Sequence, residues 1–209
     1  MSRDWHDWYR GYDDPSSSLS RRLETVRACL ESLLRSADRP LRLLSLCAGD
    51  GRDTLPVVAA TGATVTGVLV ELDPVLAGRA RAAAPAGLEV RTADAGTAAS
   101  YAGGVPADVL LACGVFGNVS DDDVARTVTA LPSLLAPGGC VIWTRGRRVP
   151  QDPSTHAGDP AELVRSLFAD AGFEEVSYVA DESGFRVGVH EWPGPTRTPP
   201  AEGRLFSFV

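Results

Sequence analysis

LRLLSLCAGDGRD, residues 41–53, decides the fold. Its first half, 41–46, is an apolar run of strand length, and its second half carries Gly49 and Gly51 before a helical pattern sets in from about Asp53 to Thr61. That reads as strand, tight turn, helix. Glycines without side chains let the backbone after the strand come close to a ligand, and the following helix turns unsatisfied N–H groups toward a polar or anionic group.

The unit repeats outward from this stretch. A β-branched run, 64–70, ends in Glu71 and leads through Asp73-Pro74 into an Ala/Arg-rich helix at 75–84. A third strand, 88–92, ends at Asp94, and a fourth, 108–113, opens into the loop 114–118. Ser120 then precedes Asp121, Asp122 and Asp123, a cap and negative charge suited to the positive end of a helix that runs to about Leu135. Residues 136–139 form a turn and 140–144 a fifth strand, apolar as expected where both faces are covered. Upstream, Leu19, Leu23, Val26, Leu30 and Leu33 mark an amphipathic helix. Downstream, Leu163, Val164, Leu167, Phe168 and Ala171 mark another, stopped by Gly172 and followed by three β-rich runs at 175–180, 185–192 and 205–209.

Strands alternating with helices imply an α/β fold, a doubly wound and mostly parallel sheet, because parallel neighbours need crossover connections. In such sheets the ligand sits beyond the carboxyl ends of the strands. Residues 47–53, Glu71, Asp94 and 114–118 all fall at those ends.

Composition bounds the function. A chain of 209 residues, 44% hydrophobic and 22% charged, suits one globular domain with a real core. It has no lysine, so Schiff-base and P-loop lysine chemistry are excluded. A formal charge of −7 opposes nucleic acid and favours a small-molecule partner. Cys29, Cys47, Cys113 and Cys140 lie far apart, with no C-x-x-C pair, and read as reduced packing thiols with no metal site. The N-terminus lacks the apolar core of a signal peptide and no stretch is long enough to span a membrane, so a cytoplasmic protein, monomer or homodimer, is expected.

At the site, a dinucleotide fingerprint needs a third glycine where Thr54 stands. Glu71, twenty positions after Gly51, can accept both hydroxyls of a ribose, and Asp94 can accept from an exocyclic amine. Together they describe a pocket for an adenosine carrying something other than a pyrophosphate.

LLSLCAGDGRD, VELDP, TADAG, DVLLACGVFGN and LAPGGCVIWT, in that order over about 43–179, resemble the successive motifs of class I S-adenosylmethionine-dependent methyltransferases. The resemblance implies a Rossmann-like sheet of seven strands with an antiparallel C-terminal strand. It implies S-adenosyl-L-methionine as cofactor, held by Cys47, Ala48, Gly49, Asp50, Gly51, Glu71, Asp94, Ala95, Cys113 and Gly114, with S-adenosyl-L-homocysteine as product. Ser45 stands where the family's acidic residue usually does and Cys47 where its first glycine does, so Asp50 or a backbone carbonyl must take over the contact to the cofactor's amino group.

The division expected is a helical cap, 1–40, and a methyltransferase domain, 41–209, with an insertion at 183–203 near the active-site edge. That insertion follows from taking 175–180 as the sixth strand and 204–209 as the seventh, which makes 185–192 and its proline-rich tail a substrate lid. On that lid His190 is the first choice of base, ahead of His6 and His156. Trp8 and Tyr12 belong to an N-terminal aromatic stretch that reads equally as a packed helix face or an acceptor wall. Asn118 and Arg145 sit at the same sheet edge as further acceptor contacts, Arg145 leading an arginine cluster with Arg147 and Arg148 suited to a carboxylate or phosphate.

The function expected is transfer of a methyl group to an O or N atom of a small molecule, chiefly by positioning. The fourth-strand segment lacks the N/D-P-P-Y/F signature of base methylation. An NAD-dependent oxidoreductase and a cofactor-binding partner without transfer activity stay as alternatives.

Overall fold

Leu43, Leu44, Leu46, Leu69, Val70, Leu110 and Leu111 are each essentially excluded from solvent, which requires helices on both faces of the strands that carry them. The computed structural model describes residues 10–146, 159–198 and 203–209 and shows that arrangement. In chain order the elements are α1 (Ser18–Ser36), β1 (Leu41–Leu46), α2 (Leu55–Thr61), β2 (Val65–Glu71), α3 (Pro74–Ala83), β3 (Leu88–Thr92), β4 (Ala107–Ala112) and α4 (Asp121–Ala130). They continue with β5 (Leu135–Gly146), α5 (Pro160–Ala171), β6 (Glu174–Ala180) and β7 (Phe185–Trp192).

The sheet has seven strands in the order β3-β2-β1-β4-β5-β7-β6. β3, β2, β1, β4 and β5 pair in parallel, and β7 lies antiparallel to both β5 and β6. The chain winds outward from β1 to β2 and β3, then returns to β4 on the other side. The switch point therefore lies between β1 and β4, where a ligand crevice opens beyond the strand ends.

Two apolar layers fill the space on either side. Val26, Leu30 and Leu34 of α1 pack with Leu55, Val57 and Val58 of α2 and Ala77 and Ala80 of α3 against one sheet face. On the other, Val124 and Val128 of α4 and Val164 and Phe168 of α5 pack against Leu44, Leu110, Val141 and Trp143. The helix ends follow local chemistry. The side chains of Ser17, Asp73, Ser120 and Asp159 accept first-turn N–H groups, and Gly62 and Gly172 close α2 and α5 in the left-handed region at φ 65° and 91°.

Two expectations are corrected here. Residues 185–192 are not a lid within an insertion at 183–203: they are the seventh strand, entered through a four-residue turn in which the Asp181 N–H donates to the Phe185 carbonyl and Gly184 takes φ 101°. Residues 204–209, expected to be that strand, form only single bridges, Thr97 with Arg204 and Val119 with Phe208. α1, from the expected cap at 1–40, belongs to the layer it shares with α2 and α3. A smaller difference is that the turn at 136–139 lies within β5, as a bulge between the Ala107–Leu135 and Val109–Cys140 pairs.

Candidate active site

The loop after β1 is shaped by three residues of positive φ: Cys47 at 55°, Gly49 at 58° and Gly51 at 76°. Cys47 takes that conformation despite its side chain, in a segment held by the Ala48 N–H on the Val70 carbonyl at 2.9 Å. Gly51 has no room for a side chain, because a Cβ there would meet Leu55 Cδ1 at 2.5 Å. The loop is clamped from α1 by Arg27, whose Nε and Nη2 both donate to the Arg52 carbonyl, at 2.8 and 2.6 Å.

Glu71 stands at the end of β2, buried, with one carboxylate oxygen accepting from the Gly49 N–H at 2.7 Å and the other from the Asp73 N–H at 2.8 Å. It ties the glycine loop to the start of α3. Each oxygen keeps a further acceptor position. Asp94 accepts from the Gly96 N–H at 2.8 Å and pairs with Arg204 at 2.6 Å. The Tyr101 hydroxyl donates to the Ala95 carbonyl and fixes the segment beside it, and burial raises that phenol's pKa. Across the switch point, the Gly114 N–H donates to Thr144 Oγ1 at 2.8 Å, and Asn118 Nδ2 donates to the Gly114 carbonyl at 2.6 Å.

Between these elements lies a cavity of about 320 Å³, at the lower end of the range for small-molecule sites. Cys47, Ala48, Glu71, Asp94, Ala95, Cys113 and Gly114 all line it. At one end it is walled by Leu72 and Leu76 beside Asp94; at the other by Tyr12, Arg22, Arg52 and Asp53, with Leu23 and Val26 of α1. Phe208 closes part of the rim. Burial, with the charge of Glu71 acting on Cys47 and that of Asp53 on Cys113, raises both thiols above the ordinary range and disfavours the thiolate.

Gly49 and Gly51 shape the loop without themselves lining the cavity. Asp50 faces away into its own ion pair, its two oxygens held by Arg52 Nε at 2.8 Å and Nη2 at 2.6 Å. Burial opposes its ionisation, but the Arg52 hydrogen bond and charge outweigh that and hold its pKa below the ordinary value.

Of the acceptor-side residues, Tyr12 lines the cavity, its hydroxyl accepting from Arg22 Nη2 at 2.8 Å and its ring lying 4.4 Å beneath the Arg52 guanidinium. Asn118 braces the loop after β4 and is outside the lining. Arg145 is also outside it: buried under α4, paired with Asp121 at 2.6 Å, with its Nη1 lacking a hydrogen-bond partner. Trp8, His6, His156, Arg147 and Arg148 lie outside the described residues.

His190 is corrected outright. It sits on β7 opposite Val141, toward the edge of the sheet away from the cavity, only 2% exposed. Its ring stacks on Phe168 at 4.3 Å and its Nδ1 accepts from Trp143 Nε1 at 3.0 Å. Because β7 is antiparallel, its later residues run away from the ligand edge.

Sequence reasoning placed 47–53 at the ligand edge without singling out Arg52 or Asp53, and it missed Arg22 and Phe208. Asp53 was legible as a helix start at the ligand edge, and its place in the wall depends on α1 closing over the loop. Phe208 arrives from more than a hundred residues beyond the loop.

No protein-family model matches the chain, and no curated protein does. Among solved structures it is similar to the CurJ carbon methyltransferase, 17% identical over 90% of this chain and 58% of that one, with a TM-score of 0.65. It is similar to magnesium protoporphyrin IX methyltransferase from Synechocystis PCC 6803, solved with bound S-adenosylhomocysteine: 14% identical, 90% and 93% covered, TM-score 0.63. It also resembles the [4+2]-cyclase SpnF, at 15% identity, 86% and 85% coverage and a TM-score of 0.61. The architecture described above, with β7 antiparallel between β5 and β6, is the Rossmann-like fold of the class I S-adenosylmethionine-dependent methyltransferases.

Proposed function

We propose that the protein is an S-adenosylmethionine-dependent methyltransferase acting on an O or N atom of a small molecule. The observation that carries this is Glu71. A buried carboxylate at the end of β2 faces the cavity between the glycine loop and an apolar wall, with acceptor positions still open for a ribose diol. The neighbouring residues suit the rest of the cofactor. Leu72 and Leu76 offer apolar surface for adenine, Asp94 an acceptor for its amine, and Cys113 and Gly114 backbone at the opposite strand end.

The bound cofactor supplies an electrophilic methyl group on a sulfonium. The protein's own part is to align the acceptor with it and to exclude water. α1 does the second, its Leu23 and Val26 forming an apolar wall over the switch point. Tyr12 supplies an aromatic and hydrogen-bonding surface for the acceptor, and among the described residues no histidine lines the cavity. The small cavity and the acidic charge of the chain favour a small acceptor over a polyanion.

Since a [4+2]-cyclase shares the fold, the architecture alone does not choose the chemistry. Calorimetric titration with S-adenosylhomocysteine, with NAD as control, tests the pocket. Saturable binding is expected, weakened at least tenfold by Glu71→Ala, while preference for NAD overturns the reading. An acceptor screen with methyl-labelled cofactor then tests transfer itself.

A further inference from the structure

The strand order sets Leu72 and Asp94, after β2 and β3, on one side of the cavity, and Asp53, in the loop after β1, with Arg22 and Tyr12 on the other. Adenine is flat and uncharged and belongs between Leu72, Leu76 and Asp94. A ligand with its ribose on Glu71 then directs its remaining part toward Asp53, Arg22 and Tyr12. In S-adenosylmethionine and S-adenosylhomocysteine that part is a zwitterion, an ammonium and a carboxylate on one carbon. The ammonium needs an anionic or carbonyl partner once it leaves water.

Three side chains near the glycine loop could supply the anion or its substitute, and two fail. Ser45 is on β1, buried, with its hydroxyl turned into the protein interior and no hydrogen-bond partner. Asp50 is consumed by the bidentate contact with Arg52 and does not line the cavity. Asp53 does line it. One of its oxygens accepts from Thr54 Oγ1 at 3.0 Å, and no ion pair within 4.0 Å engages it among the described residues. It is closely surrounded by protein yet retains accessible surface, because the space it faces is the cavity. Burial raises the Asp53 pKa, and the Thr54 hydrogen bond and the charge of Arg22 only partly offset this, so the ionised carboxylate gains from a cation arriving beside it. Arg22, whose charge acts on Asp53 across the same end, sets a guanidinium beside it with the sign to suit the ligand's carboxylate.

We propose that Asp53, at the entry to α2, is the residue that binds the ammonium of the cofactor's amino-acid end, a role moved here from the end of β1, where this chain has Ser45. The assignment rests on the methyltransferase reading, so its test must separate the two. Four ligands are titrated calorimetrically at neutral pH into wild type and Asp53→Asn, a change that keeps the acceptor for Thr54. They are S-adenosylhomocysteine, its deaminated analogue, its decarboxylated analogue and 5′-methylthioadenosine, which lacks the amino-acid end.

In wild type, loss of the ammonium is expected to weaken binding at least tenfold. In Asp53→Asn, S-adenosylhomocysteine and the decarboxylated analogue weaken by a similar factor, while the deaminated analogue and methylthioadenosine stay within threefold. The ratio between ligands is read within one protein, so a modest loss of stability does not disturb it. The proposal is overturned if wild type binds the deaminated analogue as tightly as S-adenosylhomocysteine, or if the substitution weakens all four ligands equally or none. If wild type binds none of them, the cofactor reading falls, and this assignment with it.

Discussion

His190 shows how one side chain can suit catalysis in sequence and packing in space. In the folded protein burial, opposed by Glu175 at 3.6 Å, holds its pKa down to about 4, against 6.5 in an open chain. Between those values the unfolded chain takes up a proton that the folded one refuses, so acidification through that window favours unfolding. Above 6.5 neither state is protonated, and below 4 both are, so the loss is confined to the interval and amounts to about 3 kcal/mol at most. Urea unfolding of wild type and His190→Gln at pH 7 and pH 4 measures it. The variant is expected to lose less on acidification by up to that amount, and equal losses would assign the effect to carboxylates. Cofactor binding per folded molecule is expected to be unchanged. At this scale the sequence showed the strand-end residues well, because Glu71, Asp94, Cys113 and Gly114 owe their place to the strand they terminate. It did not single out Asp53 within 47–53, and it did not show Arg22 or Phe208, whose positions depend on which segments fold across one another.

The elements were legible wherever a strand was followed by its own helix, since each such unit carries a full signal of apolar run, turn and helical period. The failure came in the one hairpin. The turn at 181–184, Asp-Glu-Ser-Gly, followed by the alternating FRVGVHEW, is itself a hairpin signal. Assigning the last strand to 204–209 required a long insertion that the turn makes unnecessary. The pairing of β5 with β7 also fixes a close packing contact. Gly188 on β7 lies against the indole of Trp143 on β5, where a Cβ would come within 2.3 Å of Cε2. Trp143 is fully buried, stacked on Phe168 and held by His190, so it has no direction in which to yield. Gly188→Ala is therefore expected to destabilise the fold by about 2–3 kcal/mol through overpacking, read as a shift in the urea midpoint. An unchanged midpoint would mean that the aromatic layer repacks freely. Gly138, in the exposed bulge of β5 at φ 74°, where a Cβ would meet only the end of the Glu191 side chain at 4.0 Å, is the control for backbone strain without crowding.

Across the whole molecule, residues 203–209 close the ligand edge that the sheet leaves open. The segment starts at the end of β3, where Arg204 pairs with Asp94 and the Leu205 N–H donates to the Gly96 carbonyl at 2.7 Å. It crosses to α4, where the Ser207 N–H donates to Asp123 at 2.9 Å, and reaches the loop after β4, where the Val209 N–H donates to the Asn118 carbonyl at 3.0 Å. Leu205 and Phe206 are buried in the layer under α4, while Phe208 stays half-exposed at the cavity rim. The strap thus joins the strand ends on the two sides of the switch point, and its anchors and its wall residue are separable. Phe208→Ala removes the wall while leaving both anchors. It is expected to weaken S-adenosylhomocysteine binding several-fold with a smaller change in stability than a core truncation, since its side chain is already half-exposed. Phe206→Ala empties a buried site and is expected to cost about 3–5 kcal/mol, with affinity falling only as the folded fraction falls. Calorimetry combined with urea unfolding on the two variants distinguishes these effects. If Phe206→Ala instead weakens binding at full folding while Phe208→Ala does not, the strap acts by holding Asp94 and Gly96 in place, and the adenine end of the cavity is built from residues more than a hundred positions apart in the chain.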